Sequence, residues 1–498
     1  MNERAGATPP IDLASGDLGE LVPALFAPRY DRSALRRSIV HVGVGGFHRS
    51  HLATYVDDLC RLGNTGWSIV GSGVTAADAA MADALITQRG LYTLIERGGT
   101  ETTTKIIGSI VDYVLAAPER DQLVARIADP DVQIASLTIT EGGYPVDDHS
   151  GEFDPTVGAP AFEVITAALA KRRDEGTGPL TVLSCDNVIG NGEVTRTSTI
   201  GTAELHDPAL ARWIEAEVAF PNGMVDRITP STTAADRDWL LTERGLIDRW
   251  PVVAEPFRQW ALENAFAGDA PPLADVGVLV TGDVEPYELL KLRLLNASHS
   301  CLAYLAALAG FEYVDRVMAT SEFRAFVDRF MYDEAIPALP VVPGVDVEEY
   351  ADELVGRFSN AAIGDQVARL CLDGSSKFPK FLLPTVRFHL ERGGSVRFAA
   401  LALAGWCQYL RGLDDAGRPI EISHDPRSAE LRGYAEASEA DPRAFIDFVP
   451  VFGRDLIADD RFVTAFTDAL QSLRDVGVRS TLDEAVKQGP NGDDPIHD

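Results

Sequence analysis

Residues 38–49 constrain this chain's fold more than any other stretch. A short, mostly apolar run over 38–42 leads into Gly43-Val44-Gly45-Gly46-Phe47-His48-Arg49. Leu52, Tyr55, Val56 and Leu59 follow at helical spacing. The pattern is strand, glycine turn, helix, with the helix over about 49–62. Gly43 and Gly45 suit a tight turn whose bare backbone can approach a pyrophosphate at a helix N-terminus. His48 stands where the third glycine of the dinucleotide fingerprint usually falls. A glycine turn alone is common. The strand before it and the helix after it make 43–48 a candidate cofactor contact.

The run 67–72 reads as the next strand of a βαβ unit. The ribose-holding acid expected near its end is absent, and Asp78 is the nearest downstream. No Arg or Lys stands before Arg89 to meet a 2′-phosphate, which favours NAD over NADP. Stretches 91–96 and 105–113 are β-rich, 118–128 and 162–173 helical, 132–140 and 181–185 strands. Residues 1–35 form an irregular lead-in with a short helix over 18–26. The strand at 181–185 delivers Asp186-Asn187 to its carboxyl end, where doubly wound sheets bind ligands. Asn187 is placed to meet a ligand there, or equally to make an Asx turn or cap the next helix. Asp226 and Arg227 lie in a strand-like run at 220–230, and a buried pair there needs mutual satisfaction. Residues 252–264 read as a connection and 276–280 as the last strand of the sheet.

A helix follows directly, over 284–300. Pro286 suits its first turn, and Leu289, Leu290, Leu292, Leu294 and Leu295 bury it. Lys291, Asn296 and His299 interrupt the apolar run. At ~100° per residue they fall at about 0°, 140° and 80°, on one broad face spanning roughly 12 Å. Burial disfavours the charged form of a lysine, which makes Lys291 a candidate general base. The alternative is a lysine that snorkels to pair with Glu288 or Glu285. Beyond 302 the pattern is almost wholly helical. Within it, 373–380 reads as a loop carrying Lys377 and Lys380, either closing over a polar substrate or simply solvated.

The length of 498 residues calls for two or three domains. The net charge, 44 − 75 = −31, argues against a nucleic-acid partner. The five cysteines form no CxxC pair and suit reduced thiols. His48 and His51 are spaced to share a metal on a helix, but no third ligand is near, so no metal is expected. No segment approaches the ~20 apolar residues of a membrane span. Residues 1–16 lack the blocks of a signal peptide. Both features point to the cytoplasm and away from a membrane.

Taken together, the glycine turn Gly43–Arg49, Asp186-Asn187, Val225-Asp226-Arg227 and Lys291-Leu292-Arg293-Leu294-Leu295-Asn296-Ala297-Ser298-His299 resemble the polyol-specific long-chain dehydrogenases, and among them the mannitol dehydrogenases. The motifs fall in the right order, and His48 in place of the third glycine is normal for that family. The resemblance implies an α/β fold: a Rossmann-type doubly wound domain over 1–285, then a mainly α-helical substrate domain over 286–498, with the active site in a cleft between them. It implies NAD as cofactor, no metal, a monomer, and a polyol or ketose substrate, D-mannitol and D-fructose being interconverted by hydride transfer. Alternatives within the family are fructuronate reduction and D-arabinitol oxidation. The implied roles are Lys291 as base, Asn187 and Asn296 at the reacting oxygen, and His299 orienting the substrate. Asp226, Arg369, Lys377 and Lys380 would contact the outer hydroxyls, and Glu288 would relay protons.

Overall fold

The computed structural model describes residues 10–15, 27–36, 38–147 and 150–487. The helix expected over 18–26 lies outside them. The chain divides into two compact units, Met1–Glu285 and Pro286–Asp498.

The first unit is built on five parallel strands: β1 (Ile39–Val42), β2 (Ile69–Gly73), β3 (Ile110–Leu115), β4 (Ile134–Leu137) and β5 (Thr181–Ser184). Their order across the sheet is β3-β2-β1-β4-β5. Ile39 stands opposite Ile69 on one side and Ile134 on the other. Successive strand side chains point to opposite faces. Ile39, Ile69 and Ile134 therefore join one core with Leu52, Tyr55, Val56 and Leu59. Val40, Val42, Val70, Ala135 and Leu137 join another with Leu123, Ile127, Phe162 and Ile165. Both faces are covered, which is why these strands read as continuous apolar runs. Each large apolar side chain so buried contributes about 1.5–3 kcal/mol.

Several expectations need correction. The helix after the glycine turn starts earlier and breaks: α1 (Gly46–Ser50) and α2 (Leu52–Arg61) are separated at His51, whose φ of −114° and ψ of −92° leave the helical region. The His51 ring donates through Nε2 to the Gln259 carbonyl at 2.9 Å, an anchor outside its own helix. The connection at 252–264 is two strands, because Pro256 interrupts it: Val252–Ala254 joins the hairpin Tyr92–Gly98/Glu101–Ile107. The second piece enters a separate three-stranded sheet of β6 (Gly223–Asp226), β7 (Gln259–Glu263) and β8 (Leu279–Thr281). The expected last strand at 276–280 thus starts late and does not extend the parallel sheet, since Gly277 at φ +91° first closes a short 3-10 turn.

The second unit is helical. Among its described residues, β structure is limited to isolated bridges. Helix Ala297–Leu308 packs on Arg397–Tyr409, which packs on Asp460–Lys487. The first pair approaches closely, because a Cβ at Gly405 would lie 2.6 Å from Leu305 Cδ2. The expected loop at 373–380 is instead the helix Gly374–Phe381, with Pro379 inside it. Its start is held from outside: the Ser375 N–H and Oγ both donate to Asp425 at 2.7 Å. All five cysteines are buried and unpaired. No helix among the described residues is long and apolar enough to cross a membrane.

Candidate active site

The glycine turn leaves β1 at the point where the strand order reverses, the position at which open α/β sheets bind ligands. Gly43 has φ +95°, and a Cβ there would stand 2.2 Å from the Thr138 carbonyl oxygen. Only glycine fits. Thr138 Oγ1 donates to the Gly43 carbonyl at 2.7 Å and ties the turn to the end of β4. A Cβ at Gly45 would meet nothing nearer than the Gly43 oxygen at 3.9 Å. The backbone there is bare and open, which fits the close approach of a dinucleotide pyrophosphate. Val44 is buried, and Phe47 stacks on His51 at 4.9 Å. The His48 ring is fully buried and stacked on His41 at 3.5 Å, with no hydrogen-bond partner on either nitrogen. It supports the turn from inside the protein. His48 and His51 therefore serve different neighbours.

Asp186 accepts from the Ile139 and Thr140 N–H groups at 2.9 Å each and from Tyr144 Oη at 2.7 Å. Burial pushes its carboxyl up despite these bonds. It holds Thr140 at φ +63°, beside the glycine turn's anchor. Asn187 is exposed just past β5. Asn191 steadies that turn: its amide donates to the carbonyls of Asp186 (3.2 Å) and Gly223 (2.7 Å) and accepts from the Gly223 N–H. Asp226 ends β6, buried. Arg227 does not pair with Asp226. Its guanidinium donates to the Glu255 and Ser50 carbonyls and pairs with Glu96. Arg227 thereby ties β6 to the end of α1. Asp78 turns back on its own loop, accepting from the Val74 and Thr75 N–H groups at 2.8 Å.

In the second unit, Glu285–Leu290 and Ala297–Leu308 are α-helical, but Lys291–Asn296 between them forms a π-helical turn. The projection at ~100° per residue therefore fails here. In a π turn the hydrogen bonds run i→i+5, so residues five apart, Lys291 and Asn296, come onto one face. Lys291 is 8 % exposed. Asn296 Oδ1 and His299 Nε2 are buried without a hydrogen-bond partner. Burial pushes the His299 imidazole down to about 3, so it is neutral at working pH. Its ring lies 4.1 Å from Phe358. The charges of Asp365, Arg369, Arg357 and Lys377 all act on it. Arg369 is held by Asp365, and Lys377 Nζ donates to the Leu370 carbonyl at 3.3 Å. Lys377 and Lys380 are half-buried three residues apart on one helix, and Glu288 is half-buried one turn before Lys291. Asp365, Phe358 and Asn191 were not anticipated. Asp365 had a readable signal, its four-residue spacing from Arg369.

A parallel sheet with a glycine turn at its switch point, followed by a helical unit bearing a buried lysine, defines the class of two-domain nicotinamide-dependent dehydrogenases. Residues 37–275 match the mannitol dehydrogenase Rossmann domain, and residues 283–474 the mannitol dehydrogenase C-terminal domain. The chain belongs to the mannitol dehydrogenase family. It is 42 % identical to mannitol 2-dehydrogenase of Aspergillus fumigatus, covering 96 % of this chain and 99 % of that protein. The structure of Pseudomonas fluorescens mannitol 2-dehydrogenase in ternary complex with NAD and D-mannitol superimposes with a TM-score of 0.88 at 42 % identity, covering 96 % of this chain and 100 % of that one. A substrate-free D-sorbitol dehydrogenase gives 0.85 at 35 % identity, covering 93 % and 98 %.

Proposed function

We propose that this chain is an NAD-dependent polyol dehydrogenase that interconverts D-mannitol and D-fructose. One observation carries the reading: Asn296 Oδ1 and His299 Nε2 are buried, unpartnered and three residues apart, on the helix that also buries Lys291. Buried polar atoms without partners cost stability unless a ligand satisfies them. Similarity to mannitol 2-dehydrogenases along nearly the whole chain supports the substrate.

Residues 1–285 would bind the dinucleotide through the 43–48 turn, and 286–498 would bind the substrate. NAD, when bound, supplies the hydride acceptor for polyol oxidation and the donor for ketose reduction. Lys291 takes the hydroxyl proton as the carbonyl forms. Asn187 and Asn296 donate amide hydrogens to the reacting oxygen and stabilise its alkoxide character. His299, neutral, fixes a neighbouring hydroxyl. Asp226, Arg369, Lys377 and Lys380 contact the outer hydroxyls, and Glu288 passes the proton toward solvent. An amine base calls for no metal. The chain would act as a cytoplasmic monomer, and size exclusion tests the oligomeric part.

The deciding assay follows NADH oxidation with D-fructose, D-fructuronate and the pentulose corresponding to D-arabinitol, with NADPH and chelator in parallel. Chelator-resistant turnover of D-fructose supports the reading. Turnover of fructuronate alone would transfer the same site to the sugar acids.

A further inference from the structure

The Arg369 guanidinium donates through Nε and Nη2 to the two carboxylate oxygens of Asp365, each at 2.7 Å. This is the paired-fork geometry in which arginine binds a carboxylate. Asp365 is 10 % exposed at its side chain and Arg369 48 %. Burial pushes the Asp365 carboxyl up, but the hydrogen bonds and charge of Arg369 outweigh it and hold the group below its usual range. The helix Val367–Leu370, which bears Arg369, packs on Ala297–Leu308, which bears His299, and both charges act on that ring. The Asp365 backbone is anchored separately: its carbonyl accepts from the Val314 N–H at 3.0 Å, and the neighbouring Gln366 bridges to Tyr313.

We propose that Asp365 sets the substrate class of this site: by occupying the Arg369 fork it withdraws the receptor that a sugar acid would use and leaves a pocket suited to uncharged polyols and ketoses. The inference rests on the polyol reading of the same site. A ketouronate entering here would bring a second carboxylate to a guanidinium already paired, and two like charges at that range repel. A neutral hydroxyl meets no such cost.

The variant Asp365→Asn keeps the side-chain volume and removes the charge. It is compared with wild type and with the double variant Asp365→Asn/Arg369→Gln, using NADH with D-fructose and with D-fructuronate. The ratio of kcat/KM for fructuronate to that for fructose should rise about tenfold or more in Asp365→Asn, carried by a lower KM for fructuronate. The double variant should return to the wild-type ratio. A folded Asp365→Asn with an unchanged ratio, or a gain that survives in the double variant, overturns the proposal. Calorimetric titration with D-mannonate reads the same effect without turnover, with tighter binding expected only in the single variant. A wild type that reduces no D-fructose counts against the polyol reading alone, and the mannonate titration still decides the role of Asp365.

Discussion

Gly43 and Thr138 are pressed together across the β1–β4 boundary, with room for a hydrogen but not a methyl group between the glycine α-carbon and the threonine carbonyl. Gly45, two residues on, faces open space. The two glycines therefore serve different ends, and substitution separates them. Gly43→Ala should lower the melting temperature by several degrees, since it adds both a clash and backbone strain of ~1–3 kcal/mol. Gly45→Ala should melt like wild type and bind NADH several-fold more weakly. Thermal unfolding and NADH fluorescence titration of the two variants check this.

Lys291→Ala should cut kcat by about 10²–10⁴, the range of a lost general base, while the NADH dissociation constant holds. Asn296→Ala should lower kcat by about 10²–10³, the scale of a lost oxyanion donor. Steady-state kinetics beside NADH titration would show it, and near-wild-type turnover in Lys291→Ala would refute its assignment as base.

Acid should weaken the fold early. Burial pushes His41, His51 and His299 down to about 3 from an ordinary 6.5. Between those values the unfolded chain binds protons that the folded chain refuses, so stability is full above pH 6.5 and drains as pH falls. Each histidine contributes a slope of ~1.4 kcal/mol per pH unit. Melting temperature followed from pH 7.5 to 5 should fall steadily, and His41→Asn should flatten the curve.

Glu334 has the opposite sign. It lies in a second π turn, Phe330–Ala335, and accepts from the Phe398 and Ala399 N–H groups at 2.8 and 2.9 Å. Burial pushes its carboxyl up to about 8, against those two bonds. From the ordinary value of 4.5 to about 8 the folded chain holds a proton that the unfolded chain has released, so this group's contribution falls as pH rises. Glu334→Gln removes the titration. Relative to wild type, the variant should be more stable at pH 9 than at pH 5, as paired thermal melts would record.

The readable parts of the sequence were those whose cause is local. The glycine turn, the apolar strands beside it and the leucine-rich helix of Lys291 each follow from spacing over a few residues. Distant partners fixed the rest. The stretch 373–380 reads as a loop, yet a helix runs through Pro379, because Asp425 holds Ser375 from fifty residues away. Arg227 looks like half of a pair with Asp226, yet carbonyls of Ser50 and Glu255 claim it. Asp365 was legible in its spacing to Arg369, four residues on, although the helix there is only Val367–Leu370.

The π turn at Lys291–Asn296 behaves as one surplus residue lodged in an otherwise regular coil. Chain count as well as chemistry thus determines which way the amine points. Removing Leu292 would let the coil close into ordinary α-helical turns, in which the lysine and the asparagine stand four residues apart, about 40° around the axis. Such a deletion alters no proposed catalytic side chain. It should keep the far-ultraviolet circular dichroism of the parent and retain measurable turnover, because the lysine and the asparagine would still share one face of the coil.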